Sequence, residues 1–150
     1  MHRFILMIVL AGLCCFQTVS AQTGSLSHIF PATYKAGKNI YPEATGRFTP
    51  TAAEARRAEE VVRKKLQQIN NKTLISLRDN WNFYYRQYVG FIGENGKKII
   101  WINFLWPDDE HERNLAKQII EVEDGGTHYW NVKADISSGR VFALRINSRG

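Results

Sequence analysis

The stretch from Trp81 to Trp106 constrains the fold more than any other part of the chain. Trp81, Phe83, Tyr85, Gln87, Val89 and Phe91 alternate with Asn82, Tyr84, Arg86, Tyr88 and Gly90, which is the two-residue period of a strand. Asn95-Gly96 interrupts that pattern, and this dipeptide favours a hairpin because a two-residue type I′ loop needs positive φ at both central positions. With those two residues as the loop, Glu94 pairs with Lys97, Phe91 with Ile100, Val89 with Ile102, Gln87 with Phe104 and Tyr85 with Trp106. One face of this hairpin is almost wholly apolar and is expected to meet the core. The other carries Tyr84, Arg86, Tyr88, Trp101 and Asn103, a mixed aromatic and polar surface. A slip of one residue would exchange those faces, so the register decides which residues meet solvent.

The C-terminal part predicts a second hairpin. His128, Trp130, Val132, Ala134 and Ile136 share one face of a strand, and Phe142, Leu144 and Ile146 share one face of the last. A three-residue loop, Ser137-Ser138-Gly139 with Gly139 left-handed, pairs Ala134 with Phe142 and Val132 with Leu144. Between the hairpins, Pro107 to Ala116 reads as a loop or short acidic helix, and Ile119 to Glu123 as another strand, turning at Asp124-Gly125-Gly126. Upstream, Thr51-Ala52-Ala53-Glu54 fits a capping box. Ala55, Ala58, Val62, Leu66 and Ile69 then recur at helical spacing, and Asn70-Asn71 closes a helix of about five and a half turns. Glu59/Arg63 and Glu60/Lys64 sit as i,i+4 pairs on its other face. The expected fold class is α+β: one long N-terminal helix packed on an antiparallel sheet of about four to five strands, which buries both apolar surfaces.

Residues 22–49 show scattered Gly, Pro, Ser and Thr with no sustained period, an extended arm or linker with room for one edge strand near Ile40. Residues 50–150 then form a single α+β domain. Residues 1–21 read as a cleavable signal peptide: His2-Arg3, an apolar run from Phe4 to Phe16, and Val19-Ser20-Ala21 before Gln22. That run is shorter than the ~18–20 residues a bilayer span needs, so no stable membrane span is expected after cleavage. The expected destination is outside the cell or in the periplasm; a lipoprotein anchored at Cys14 or Cys15 is the alternative. Both cysteines lie in this leader, so the mature chain carries no thiol for a disulfide, a zinc site or a nucleophile. The formal charge of +6 is unevenly spread. Between Gln22 and Leu105, thirteen Lys or Arg face six acids, whereas Asp108, Asp109, Glu110, Glu112, Glu121, Glu123 and Asp124 outnumber Arg113 and Lys117 in the next stretch.

Val122-Glu123-Asp124-Gly125-Gly126 followed by Tyr129-Trp130-Asn131-Val132-Lys133 resembles a group of small secreted bacterial proteins of unknown function, over the C-terminal half. The helix-then-sheet order is similar to cystatin-like folds, whose inhibitor members wedge a hairpin into a protease cleft. Gln87-Tyr88-Val89-Gly90 resembles their Gln-x-Val-x-Gly loop, with the glycine one position early and inside a strand rather than at the hairpin tip. No binding residue is carried over from that family.

Catalytic motifs are incomplete. His111-Glu112 opens like a zincin helix, but the i+4 position is Leu115, so the second ligand is missing. Asp108, Asp109, Glu110 and Glu112 lack the spacing of a calcium loop, and His128 shares a strand face with Trp130 as a structural residue would. No cofactor or metal is called for. The expected function is an exported, non-enzymatic binding module, inhibitor-like in its use of a sheet face or hairpin tip. Its partners would be a secreted or envelope protein, or a glycan, and not nucleic acid. The candidate contact residues are Tyr84, Arg86, Tyr88, Trp101, Asn103, Asn95 and Gly96, since exposed aromatics with polar neighbours suit such contacts. The alternatives are an envelope interaction or structural protein using the basic helix face, and a small hydrolase using the acidic segment.

Overall fold

The Asn95-Gly96 turn reverses the chain with three residues rather than two. In the computed structural model, which describes residues 26–148, Glu94–Gly96 forms a single 3₁₀ turn in which Asn95 (φ 59°) and Gly96 (φ 72°) are both left-handed. The hairpin closes at Gly93, whose N–H donates to the Lys97 carbonyl at 2.8 Å. Positive φ at these two residues is as expected; the extra loop residue, Glu94, shifts the register by one. Gly90 therefore faces Ile100, Tyr88 faces Ile102 and Val89 faces Trp101.

These strands, β3 (Tyr85–Ile92) and β4 (Lys98–Leu105), lie at the centre of a six-stranded sheet. Beyond β4 come β5 (Tyr129–Asp135) and β6 (Arg140–Ile146), both antiparallel to their neighbours. The other side of β3 is shared by two short strands. β1 (Ser27–Phe30) pairs parallel with residues 86–89, and β2 (Gly46–Phe48) antiparallel with residues 90–92. The sheet is thus mixed rather than antiparallel, and the stretch read as an arm supplies two of its strands. No strand forms at Ile40, which is instead buried beneath the sheet. Gly90 is needed where β2 crosses, because a Cβ there would collide with the Phe48 carbonyl oxygen and lie 2.9 Å from its ring.

The described residues also form three α-helices: α1 (Ala52–Gln67), α2 (Lys72–Asp79) and α3 (Asp109–Asn114). Thr51 and Glu54 form the expected capping box, satisfying two orphan N-terminal donors. The helix is shorter than expected and follows two strands rather than opening the chain. Asn71 starts a second helix, its side chain accepting from the N–H groups of Thr73 and Leu74. Ala55, Ala58, Val62 and Leu66 are buried on the sheet as their spacing predicts.

The sheet is covered on both sides. Tyr84, Tyr88, Ile100, Ile102, Phe104, Trp130, Val132 and Ala134 face α1, with Leu77 of α2 and Trp81 in the same core. Phe104 and Trp130 stack there with centroids 3.7 Å apart. On the opposite face, Val89, Phe91, Ile99 and Trp101 pack with Phe30 and Ile40 under the 31–45 segment, where Tyr34 and Tyr41 close over them. The second hairpin holds a further correction. Asp135 pairs with Arg140 and Ala134 with Val141, whereas Asn131 pairs with Arg145, the offset expected from the sequence. A β-bulge between them, marked by Ala143 at φ 50°, absorbs the difference. It sends Phe142 to the second core, while Leu144 and Ile146 pack against the first. At the turn, the Asp135 carboxylate accepts from the N–H groups of Ser137 and Ser138 and from the Ser138 hydroxyl.

Candidate functional site

The one-residue shift divides the residues expected on a single exposed surface. Tyr84, Arg86 and Tyr88 point toward α1, whereas Trp101 and Asn103 point to the other side of the sheet. All five are buried, with Tyr84 at 0% exposure. The expectation of an exposed aromatic hairpin face is therefore corrected, because both faces of this hairpin are covered by other parts of the chain. Asn95 and Gly96 remain exposed at the tip. Gln87-Tyr88-Val89-Gly90 lies wholly inside β3 and is buried, so it forms no protruding loop.

Arg86 belongs to a buried polar cluster. Its guanidinium donates to the carbonyls of Tyr84 (2.9 Å) and Trp81 (2.5 Å), approaches the Glu59 carboxylate at 3.6 Å, and lies over the Trp81 and Phe104 rings. The Tyr88 hydroxyl donates to the same Glu59 carboxylate. Burial, then the adjacent Glu59 charge, pushes the Tyr88 phenol far above its ordinary range. Glu59 therefore turns inward instead of pairing with Arg63, and Glu60 pairs with Arg57 at 3.5 Å. A small cavity of about 190 Å³ opens beside Glu59, lined also by Arg56, Glu60, Arg63 and Trp81. Its carboxylate is committed to Tyr88 and Arg86, which makes this cluster a structural joint between α1 and the sheet.

The acidic segment forms α3, with Asp108 as its N-cap. One Asp108 oxygen accepts from the His111 N–H and the other lies 2.7 Å from His111 Nδ1, which is also 3.0 Å from the Trp106 carbonyl. This is cap chemistry, and Asp108 is the one carboxylate that His111 reaches among the described residues. His128 is exposed and stacks on Trp106 with centroids 4.4 Å apart. No group of three or more His, Cys, Asp or Glu suited to a metal occurs among the described residues.

The expected strand at Ile119–Glu123 does not form; side chains bind this segment to the sheet instead. Gln87, fully buried, donates through Nε2 to the carbonyls of Leu115 (2.9 Å) and Gln118 (2.7 Å), and its Oε1 accepts from Ile120 N–H at 3.0 Å. Asn103 donates to the Ile120 carbonyl at 2.8 Å and to Gln87 Oε1 at 3.2 Å. Farther along, Asn147 donates to the carbonyls of Val122 and Asp124, and the Ser148 hydroxyl to that of Glu123. Two buried amides thus replace a strand ladder.

Between this tethered segment and the sheet lies a cavity of about 420 Å³, within the range of small-ligand sites. Trp101, Tyr129, Asn131, Lys133 and Arg145 line it from the sheet, Ile120–Glu123 from the tethered segment, and Asn39 and Ile40 also border it. The Trp101 indole donates to the Asn131 side-chain oxygen at 3.1 Å, which turns the Asn131 amide nitrogen away from that bond. Lys133 Nζ sits 5.3 Å from the centre of the Tyr41 ring. Burial lowers the Lys133 pKa; Glu43 opposes that effect and Arg145 adds to it. Neither Lys133 nor Arg145 is in an ion pair among the described residues. The groove was not foreseen from the sequence. The one signal was alternation in β5, where Trp130, Val132 and Ala134 point inward and so place Asn131 and Lys133 on the opposite face.

The proposed leader, including both cysteines, lies outside the described residues, and no described helix is long and apolar enough to cross a membrane. No protein family, curated protein or solved structure gives a significant match to the chain.

Proposed function

We propose that this chain is an exported binding module that performs no chemistry of its own and uses the groove above β4, β5 and β6 as its contact surface. The observation that carries this reading is the pair of cations, Lys133 and Arg145, which line a concavity with amide and aromatic side chains and make no close ion pair among the described residues. Desolvating a cation is costly unless it is paired, so a polar group brought to Lys133 gains where one brought to an ordinary surface lysine would not. Two carboxylates beside candidate partners are committed to structural roles: Glu59 to Tyr88 and Arg86, and Asp108 to His111. The partner class remains a glycan or a secreted or envelope protein. The cystatin-like use of a hairpin tip rests on the exposed Glu94-Asn95-Gly96 turn alone.

The test is to map bound regions by hydrogen exchange with ligands recovered from a glycan array and from the exported proteins of the source cell. Protection is expected in residues 119–124 and 131–133. The groove-filling variant Asn131→Trp should abolish it while the melting temperature holds. Protection confined to the hairpin tip or to α1 would refute the groove reading.

A second reading, an envelope interaction protein, is favoured by one observation. With Glu59 turned inward, Arg56, Arg57, Arg63, Lys64 and Lys65 remain exposed along α1, a basic face for anionic polymers. Retention on an anionic column that is insensitive to salt would argue against it.

A further inference from the structure

We propose that the groove binds an acidic sugar with one isolated carboxylate, the carboxylate lying between Lys133 and Arg145 and the hydroxyls on the neighbouring amides. This rests on the groove reading and names its ligand class. Three observations lead to it.

The first is charge. Lys133 and Arg145 lie on one side of the groove without an ion-pair partner among the described residues. The guanidinium of Arg145 presents a planar fork suited to a carboxylate. The burial that lowers the Lys133 pKa, opposed by Glu43 and reinforced by Arg145, is relieved further by an anion.

The second is the state of the backbone. An extended peptide would need unpaired strand groups to add to a sheet. β4 and β5 offer none, because they are hydrogen-bonded on both sides, and the free edge of β6 is interrupted by the bulge at Ala143. In the tethered segment, the carbonyls of Ile120, Val122, Glu123 and Asp124 already accept from Asn103, Asn147 and Ser148. The polar side chains available for recognition include Asn39, Asn131, Tyr129 and the two cations. Amides that both donate and accept match hydroxyl groups.

The third is that Glu121 and Glu123 also line the groove. A polymer bearing an anion on every unit would bring a second charge against these carboxylates. A ligand with a single carboxylate and a neutral, hydroxylated neighbour would not. The groove therefore selects an isolated acid rather than a dense polyanion, a specificity built partly on repulsion.

The experiment uses the full chain, titrated calorimetrically with cellobiouronic acid, with neutral cellobiose, and with dextran sulfate as a dense polyanion. Cellobiouronic acid should bind about tenfold more tightly than cellobiose, roughly the value of one charge-assisted contact. Lys133→Gln and Arg145→Gln should each remove most of that difference while the melting temperature stays within about 2 °C, as surface changes usually allow. Dextran sulfate should not compete. Equal binding of both disaccharides, or variants that bind the acid as well as the parent does, would overturn the proposal. So would binding of neither sugar while another ligand protects residues 131–133, an outcome that keeps the groove reading and rejects the acidic sugar. Protection restricted to α1 by dextran sulfate would reject both.

Discussion

Replacing Gln87 by Leu tests whether two buried amides really take the place of a strand. The substitution keeps side-chain volume roughly constant but deletes four hydrogen bonds: those to Leu115 and Gln118 carbonyls, the one from Ile120 N–H, and the one from Asn103. Each such bond is worth about 1 kcal/mol net, and a buried partner left alone costs about 1–3 kcal/mol. Gln118 is exposed, so its carbonyl can recover a water and is discounted. The other three give a loss of about 3–4 kcal/mol, a large share of the 5–15 kcal/mol typical of a domain. Urea unfolding should show a lower midpoint with an unchanged slope. Hydrogen exchange should rise selectively in residues 115–124, because the tether is local, while β4 and β5 lose protection only through the global change. A loss below about 1 kcal/mol, or exchange that rises uniformly across the sheet, would show that the segment is held by its apolar contacts, and that the amide pair is incidental.

Three further outcomes follow from the same geometry. Glu59→Gln should cost about 3 kcal/mol by leaving the Arg86 guanidinium buried beside a neutral group, and adding Arg86→Met should recover much of it in a double-mutant cycle read by thermal melts. Burial pushes the Tyr84 phenol up to about 12. The folded state thus holds that proton after the unfolded chain loses its own near 10, so stability is intact below about pH 10 and is lost as the pH rises through 12. Tyr84→Phe should flatten this alkaline decline in pH-dependent urea midpoints. Gly90→Ala should displace β2, since the new Cβ meets the Phe48 carbonyl. Loss of exchange protection at Arg47 and Phe48 would report it, and unchanged protection would contradict the steric argument.

How far the fold could be read from the residues depended on how one-sided each element is. The capping box at Thr51 and the buried stripe from Ala55 to Leu66 were legible because α1 has a single apolar face. So were the inward residues Trp130, Val132 and Ala134 of β5. The first hairpin defeated the same logic because both its faces are buried. With Val89, Phe91, Ile99 and Trp101 on one side and Tyr88, Ile100, Ile102 and Phe104 on the other, alternation could not choose between registers. The loop length then decided, and three residues rather than two reversed the pairing. β1 was illegible because four residues, Ser-His-Ile-Phe, are too few to show a period. The groove was hidden for a related reason: Lys133 and Arg145 acquire their setting from Gln87 and Asn103, which gather a distant segment through side-chain bonds that leave no periodic trace.

The bulge at Ala143 has a consequence beyond local pairing. β6 is the last strand of the sheet, and its outer side is bordered by nothing in the strand order. A regular strand in that position would be a template for another copy of the chain, and stacking of copies is how soluble sheets begin to aggregate. A left-handed, non-glycine residue in its middle breaks the row of donors and acceptors into two short, misaligned pieces. Arg140 and Arg145 flank the break and would repel their counterparts on an approaching strand. The distortion that sends Phe142 to one core and Leu144 to the other thus also keeps the sheet from growing past its sixth strand.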